Sequence, residues 1–100
     1  MTSIFGVSVI LSGRIVELIS REFDGDFREK IIADLAGVDE STFGVQDLER
    51  IAGAIVILCK QGIQLDVALD VARSDWRDLL MASGLAGDDW QAVLEREFSR

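Results

Sequence analysis

Glycine residues mark the ends of several apolar stripes in this sequence, and the chain contains no proline. Gly25, Gly37, Gly62 and Gly84 each follow a stretch in which apolar residues recur every three or four positions. A glycine just past such a stretch is the usual left-handed cap of an α-helix. Because the period-two alternation typical of strands is nowhere sustained, the pattern predicts an all-α chain.

The length and composition favour one compact domain. The chain has 100 residues, of which 49% are apolar, and a chain of this length can bury a core without disulfides or metals. We therefore expect residues 1–100 to form a single domain of about six short helices, packed as an orthogonal array or a bundle.

Apolar stripes and capping residues predict where these helices lie. Four of the predicted helices cover residues 7–23, 45–61, 64–73 and 75–83, the last of them capped by Ser74. The helix after the first is capped by Asp26 with Glu29 and closed by Gly37. The final helix is capped by Asp88 with Gln91 and runs to Phe98. Residues 38–44 are expected to form a loop. Gly13 weakens the first helix by up to about 1 kcal/mol relative to Ala, so a break at Ser12 and Gly13 is the alternative there.

Residues 51–59 are apolar on every side of the predicted third helix. A helix that is apolar all round is buried, so this segment is predicted to be the centre of the domain. Gly53 and Ala54 would let a neighbouring helix approach closely. Cys59 is the only cysteine, which excludes an internal disulfide, and its apolar surroundings predict a buried structural thiol.

The charge of the chain restricts its partners. Eighteen acidic residues against ten basic ones give a net charge of −8. This balance disfavours nucleic acid and anionic membrane surfaces, and it favours a basic protein partner. No apolar stretch reaches the length of about 18 residues needed to span a membrane. The apolar start also lacks the basic region of a signal peptide, so a cytoplasmic protein is expected.

No motif predicts a metal site, a cofactor or a catalytic centre. The chain has no histidine, so the ligands of a zinc site are missing. Asp24, Gly25 and Asp26 resemble the start of a calcium loop, but Arg28 and Leu35 stand where that loop needs oxygen ligands. The adjacent carboxylates at positions 39–40 and 88–89 are typical of helix starts. We therefore expect a protein that is not an enzyme.

The densest group of functional side chains lies between the predicted fourth and fifth helices. Two arginines and two aspartates surround a tryptophan there: Arg73, Asp75, Trp76, Arg77 and Asp78. Arginine beside tryptophan is common where proteins bind one another. The structural alternative is a tryptophan buried between helices, with Arg–Asp pairs that fix the corner.

The segment ARSDWRDLLMASGLA also resembles a stretch in small, mostly bacterial helical proteins with no known activity. In those proteins a helix ends in Ala-Arg or Ala-Lys, and an aspartate, an aromatic residue, Arg, Asp and an aliphatic pair follow shortly after. The resemblance covers residues 48–85, including the apolar helix and Gly62. It implies a shared helical fold and assigns no catalytic or binding residue.

These observations lead to one functional hypothesis and several alternatives. The leading hypothesis is a small acidic protein-interaction module, for example an accessory protein or an inhibitor of the immunity type. The alternatives are a structural subunit that associates with itself, such as a homodimer, and a helical domain that binds or mimics DNA. Death-fold interaction domains match the chain in size, which is an analogy of fold alone.

Overall fold

The computed structural model describes residues 12–38 and 48–98, and of Phe98 it describes the backbone alone. Within these residues the chain forms six α-helices and no strand, which confirms the predicted all-α class. The helices are α1 Gly13–Glu22, α2 Gly25–Ala36, α3 Leu48–Lys60, α4 Leu65–Ser74, α5 Trp76–Ser83 and α6 Trp90–Phe98.

Helix α3 lies at the centre of the fold. All residues from 51 to 59 are buried, and α3 contacts α1, α4, α5 and α6. The prediction of a central apolar helix is therefore confirmed. A Cβ atom added at Gly53 would lie 2.7 Å from Cδ1 of Leu94, so the missing side chain lets α6 approach α3 closely.

The turns after α3 and α5 have the same backbone geometry. Gly62 and Gly84 adopt φ angles of +97° and +85°, as their positions after apolar stripes predict. Gly37 ends α2 in the right-handed region instead, at φ −87°, so the left-handed cap predicted there is wrong. The N–H groups of Ile63 and Leu85 donate to the carbonyls of Leu58 and Leu80, at 3.0 and 2.9 Å. This six-to-one bond is the mark of a Schellman motif, which satisfies carbonyls at the end of a helix.

Polar contacts join α1, α3 and α6 along one side of the molecule. The Ser12 hydroxyl donates to the Glu49 carboxylate at 2.7 Å. At the other end of α3, the Lys60 ammonium lies 2.8 Å from Glu97 and 3.5 Å from Glu22. Because these three side chains are only 20–23% exposed, water screens their attraction less than it does at an open surface.

The first helix begins later than its apolar stripe predicts. Ser12 is the N-cap of α1, and its hydroxyl accepts from the N–H of Ile15 at 3.2 Å. The prediction of one helix over residues 7–23 is therefore wrong at Ser12, where the expected alternative break occurs. Serine is a favoured N-cap because its hydroxyl satisfies a free amide of the first turn, and a glycine at position 13 costs less at the start of a helix than in its interior. The part of the prediction before residue 12 lies outside the described residues.

The predicted caps of three other helices are also displaced. Asp24, rather than Asp26, precedes α2. Asp75, rather than Ser74, caps α5, while the Ser74 hydroxyl donates back to the Asp70 carbonyl. Helix α6 begins at Trp90, one residue later than a cap at Asp88 implies. Where several candidate caps stand together, the packing of the helices selects among them. The predicted 38–44 loop, apart from Val38, and the start at residue 45 lie outside the described residues.

Candidate functional site

The segment that joins α4 to α5, residues 73–78, is called the α4–α5 corner below. Asp75 links the two helices, because it ends one and caps the other. Its backbone N–H donates to the Val71 carbonyl at 2.7 Å, and its carboxylate accepts from the N–H of Asp78 at 3.3 Å. Asp75 therefore has a structural role, and Asp78 contributes its amide to the cap while its side chain remains exposed.

Arg73 belongs to the exposed surface of α4. Its guanidinium lies 3.5 Å from the Asp70 carboxylate, and the two side chains are 54% and 79% exposed. An ion pair at this exposure contributes about 0.5 kcal/mol or less to stability. Arg73 is therefore not essential to the corner.

Arg77 stacks on Trp76 instead of pairing with an aspartate. The guanidinium carbon lies 5.1 Å from the centre of the indole ring, a cation–π contact. Among the described residues Arg77 forms no ion pair with Asp75 or Asp78, so the expected Arg–Asp lock of the corner is wrong for this arginine. Trp76 is half-buried rather than enclosed between helices.

A shallow cavity of about 260 Å³ opens beside Trp76. Arginine and apolar side chains line it, and no described residue of its wall is a carboxylate; the residues are Arg50, Trp76, Arg77, Leu80, Met81 and Ala86. We call this set the Trp76 surface. Met81 is 70% exposed, the largest exposure among the exposed large apolar side chains of the described part of the chain.

Arg50 fixes the far wall of the Trp76 surface. Its guanidinium donates to the carbonyls of Leu85 and Ala86, at 2.8 and 2.9 Å, and lies 5.5 Å from the centre of the Trp90 ring. Helix α3 thereby holds the segment between α5 and α6 in place. The cavity wall is thus formed by α5 on one side, and by Arg50 of α3 with the loop that it binds on the other.

The sequence singled out Trp76 and Arg77 but missed Arg50 and Met81. Met81 follows Leu79 and Leu80 in α5, whose stripe faces the core, so an apolar residue on the opposite face was a usable signal. Arg50 had no such signal, because its role depends on carbonyls 35 and 36 positions away.

The described residues hold no group of three or more Cys, Asp or Glu side chains arranged to bind a metal ion. Cys59 is buried, and burial raises the pKa of its thiol to about 11. The thiol is therefore protonated near neutral pH and is a poor nucleophile there. None of the described helices is both long and apolar enough to cross a membrane.

Neither known protein-family models, nor curated proteins, nor solved structures give a match to this chain.

Proposed function

We propose that this protein is a non-catalytic protein-interaction module and that the Trp76 surface is its contact site. The observation that carries the proposal is the pairing of an exposed methionine with an arginine that has no carboxylate partner among the described residues. Met81 is 70% exposed, and Arg77 rests on the half-buried ring of Trp76 beside it. Neither the Met81 nor the Arg77 side chain belongs to the buried core, so the packing of the fold does not explain their presence on this surface.

The chemistry of the Trp76 surface suits a protein partner. Tryptophan and arginine supply large contact energies when a partner removes them from water. Methionine is unbranched and polarisable, so it adapts to the shape of the partner. Stacking on Trp76 orients the Arg77 guanidinium and leaves its N–H groups available to a carboxylate or carbonyl of the partner.

The charge of the whole chain narrows the class of partner further. A net charge of −8 attracts a basic protein at long range, whereas the Trp76 surface offers the Arg77 guanidinium at close range. A basic protein with an apolar and carboxylate-bearing contact patch satisfies both conditions. Accessory proteins and inhibitors of the immunity type fall within this class, and the cytoplasm is the compartment we propose.

Partner capture by matched variants tests the proposal. We expect Arg77→Ala and Met81→Asp to reduce capture of the partner from cells of the source organism by roughly tenfold or more, since both change the centre of the surface. Arg73→Ala is the control, because Arg73 lies at the same corner but outside the cavity wall. The unfolding free energy of all three variants should stay within about 0.5 kcal/mol of the original protein.

Three results would contradict the proposal. Capture by Arg77→Ala and Met81→Asp at the level of Arg73→Ala would exclude the Trp76 surface as the contact site. A loss of stability in step with the loss of capture would identify the corner as a structural lock instead. If light scattering shows a dimer that Met81→Asp converts to a monomer, the protein is a structural subunit that associates with itself, and the Trp76 surface is its dimer contact.

A further inference from the structure

A groove separates α2 from α4. Two neighbouring cavities, of about 520 and 370 Å³, lie along it and share Asp66 in their walls. Helix α2 contributes a wall residue every three or four positions from Phe27 to Gly37, and α4 does the same from Asp66 to Arg73. Each helix therefore turns one continuous stripe toward the groove. We call this the α2–α4 groove.

One end of the α2–α4 groove is apolar. Phe27 and Ile63 are 40% and 39% exposed and line the same cavity. The ring of Phe27 is held edge-on against Phe23, with 5.1 Å between the ring centres. Leu65 and Cys59, both buried, form the neighbouring wall. Two large apolar side chains are thus fixed and partly exposed around a space that no described side chain fills.

The other end of the α2–α4 groove is acidic. The Lys30 ammonium lies 3.0 Å from Asp34, and Arg73 lies 3.5 Å from Asp70. Asp66 lines both cavities, and among the described residues its carboxylate accepts only from the N–H of Val67, at 3.0 Å. Three carboxylates against two cations, both already paired, leave an excess of one negative charge in this part of the groove.

We propose that the α2–α4 groove binds an amphipathic helix that carries lysine or arginine beside its apolar face. Apolar residues of that helix would lie between Phe27 and Ile63, and a cation would reach Asp66 and the 79% exposed Asp70. Charge complementarity favours a basic helix, because the excess carboxylates of the groove would repel an acidic one. The α2 stripe from Phe27 to Gly37 is about 15 Å long at 1.5 Å per residue, which matches about three turns of a bound helix.

Selection from a peptide library tests this inference without knowledge of the natural partner. The probe is a phage-displayed library of amphipathic helices randomised on the face that would meet the groove. We expect the selected peptides to share apolar residues at helical spacing and to be enriched in lysine or arginine next to them. Amide NMR shifts of the protein on addition of a selected peptide should concentrate at Phe27, Ile63 and Asp66.

Matched variants separate the α2–α4 groove from the Trp76 surface. We expect Ile63→Asp to weaken a selected peptide by roughly tenfold or more, and Asp66→Asn to weaken it several-fold with a smaller dependence on salt. Met81→Asp and Asp78→Asn are the controls, since they change an exposed apolar and an exposed acidic residue elsewhere, and both should bind the peptide as the original protein does. Circular dichroism and cooperative melting establish that each variant is folded.

The inference fails independently of the proposed function. It would be overturned if the selected peptides bound Ile63→Asp as tightly as the original protein. Enrichment of the peptides in acidic residues, or a loss of their affinity for Met81→Asp, would also overturn it. A library that yields no binder would overturn it as well. A dimer of the chain that Ile63→Asp dissociates would show that a second copy occupies the groove.

Discussion

The turns after α3 and α5 share one backbone but place their next residue in opposite environments. In both, a glycine with positive φ is followed by an apolar residue whose N–H donates to a carbonyl five positions back. Leu85 is fully buried, whereas Ile63 is 39% exposed. Local sequence therefore determines the turn, and the neighbouring helices determine whether the apolar residue after it is covered.

The difference follows from what lies opposite each turn. The N-terminal part of α3 reaches the turn after α5, where Arg50 donates to the Leu85 carbonyl at 2.8 Å. Ile63 lies instead at the α2–α4 groove, which has a cavity of about 520 Å³ beside it. One turn thus belongs to the core, and the other leaves an apolar side chain that a partner can cover.

Alanine substitution of the two residues gives the largest predicted contrast. Leu85→Ala removes a fully buried side chain and should cost about 2–5 kcal/mol of unfolding free energy, since it leaves a cavity. Ile63→Ala should cost about 1 kcal/mol or less, because much of the side chain already meets water. Urea unfolding of both variants, with unchanged denaturant slopes, measures the contrast. Equal losses would mean that Ile63 is part of the core.

Glycine substitutions test whether the side formed by α1, α3 and α6 is tightly closed. Gly53→Ala should cost about 1–3 kcal/mol, because its Cβ would lie 2.7 Å from the buried Leu94 side chain. Gly13→Ala is the control: nothing lies within 4 Å of its Cβ position, so it should stabilise α1 by about 0.4–1 kcal/mol. Melting temperatures should move in opposite directions. A neutral Gly53→Ala would show loose packing of α6 on α3.

The two turn glycines should respond alike despite the different environments of the residues that follow them. Alanine is penalised by about 1–2 kcal/mol in the left-handed conformation that Gly62 and Gly84 adopt. Gly62→Ala and Gly84→Ala should therefore each lower the unfolding free energy by that amount, as measured by chemical denaturation. A much larger cost at Gly84 would mean that the turn and the burial of Leu85 are coupled.

The effect predicted for Cys59 depends on pH. Burial raises the pKa of its thiol to about 11, so between about pH 9 and pH 11 the unfolded chain releases a proton that the folded chain retains. The contribution of this thiol to stability is therefore complete below about pH 9 and is lost as the pH rises toward 11. The difference in unfolding free energy between the original protein and Cys59→Ala should shrink over this range. A constant difference would show that the thiol is open to water through the cavity it lines.

The sequence predicts those features that a single segment determines. Residues 51–59 and the stops at Gly62 and Gly84 need no knowledge of the other helices, and the structure confirms them. The predicted apolar stripe of α2 shows the limit: Ile31 and Leu35 are buried, but Phe27 is 40% exposed. Whether a stripe is covered depends on the spacing of two helices, which neither segment encodes alone. The α2–α4 groove was missed for this reason.

The candidate site shows the same division. Trp76 and Arg77 were predicted from residue types, and the structure places them against each other at 5.1 Å. The expected ion pairs with Asp75 and Asp78 were not formed among the described residues, because Asp75 is committed to the cap of α5. Short sequence spacing cannot distinguish an aspartate that caps a helix from one that pairs with an arginine, since both roles favour the same positions.

Solvent exposure of individual methyl groups shows directly whether the α2–α4 groove is open in solution. With methyl-labelled isoleucine and methionine, the relaxation caused by a soluble paramagnetic gadolinium chelate reports how near each methyl comes to water. We expect strong enhancement at Met81 and Ile63, and weak enhancement at Ile31 and Ile55, which are fully buried. Weak enhancement at Ile63, equal to that at Ile55, would show that the α2–α4 groove is closed in solution and would contradict its proposed role in binding.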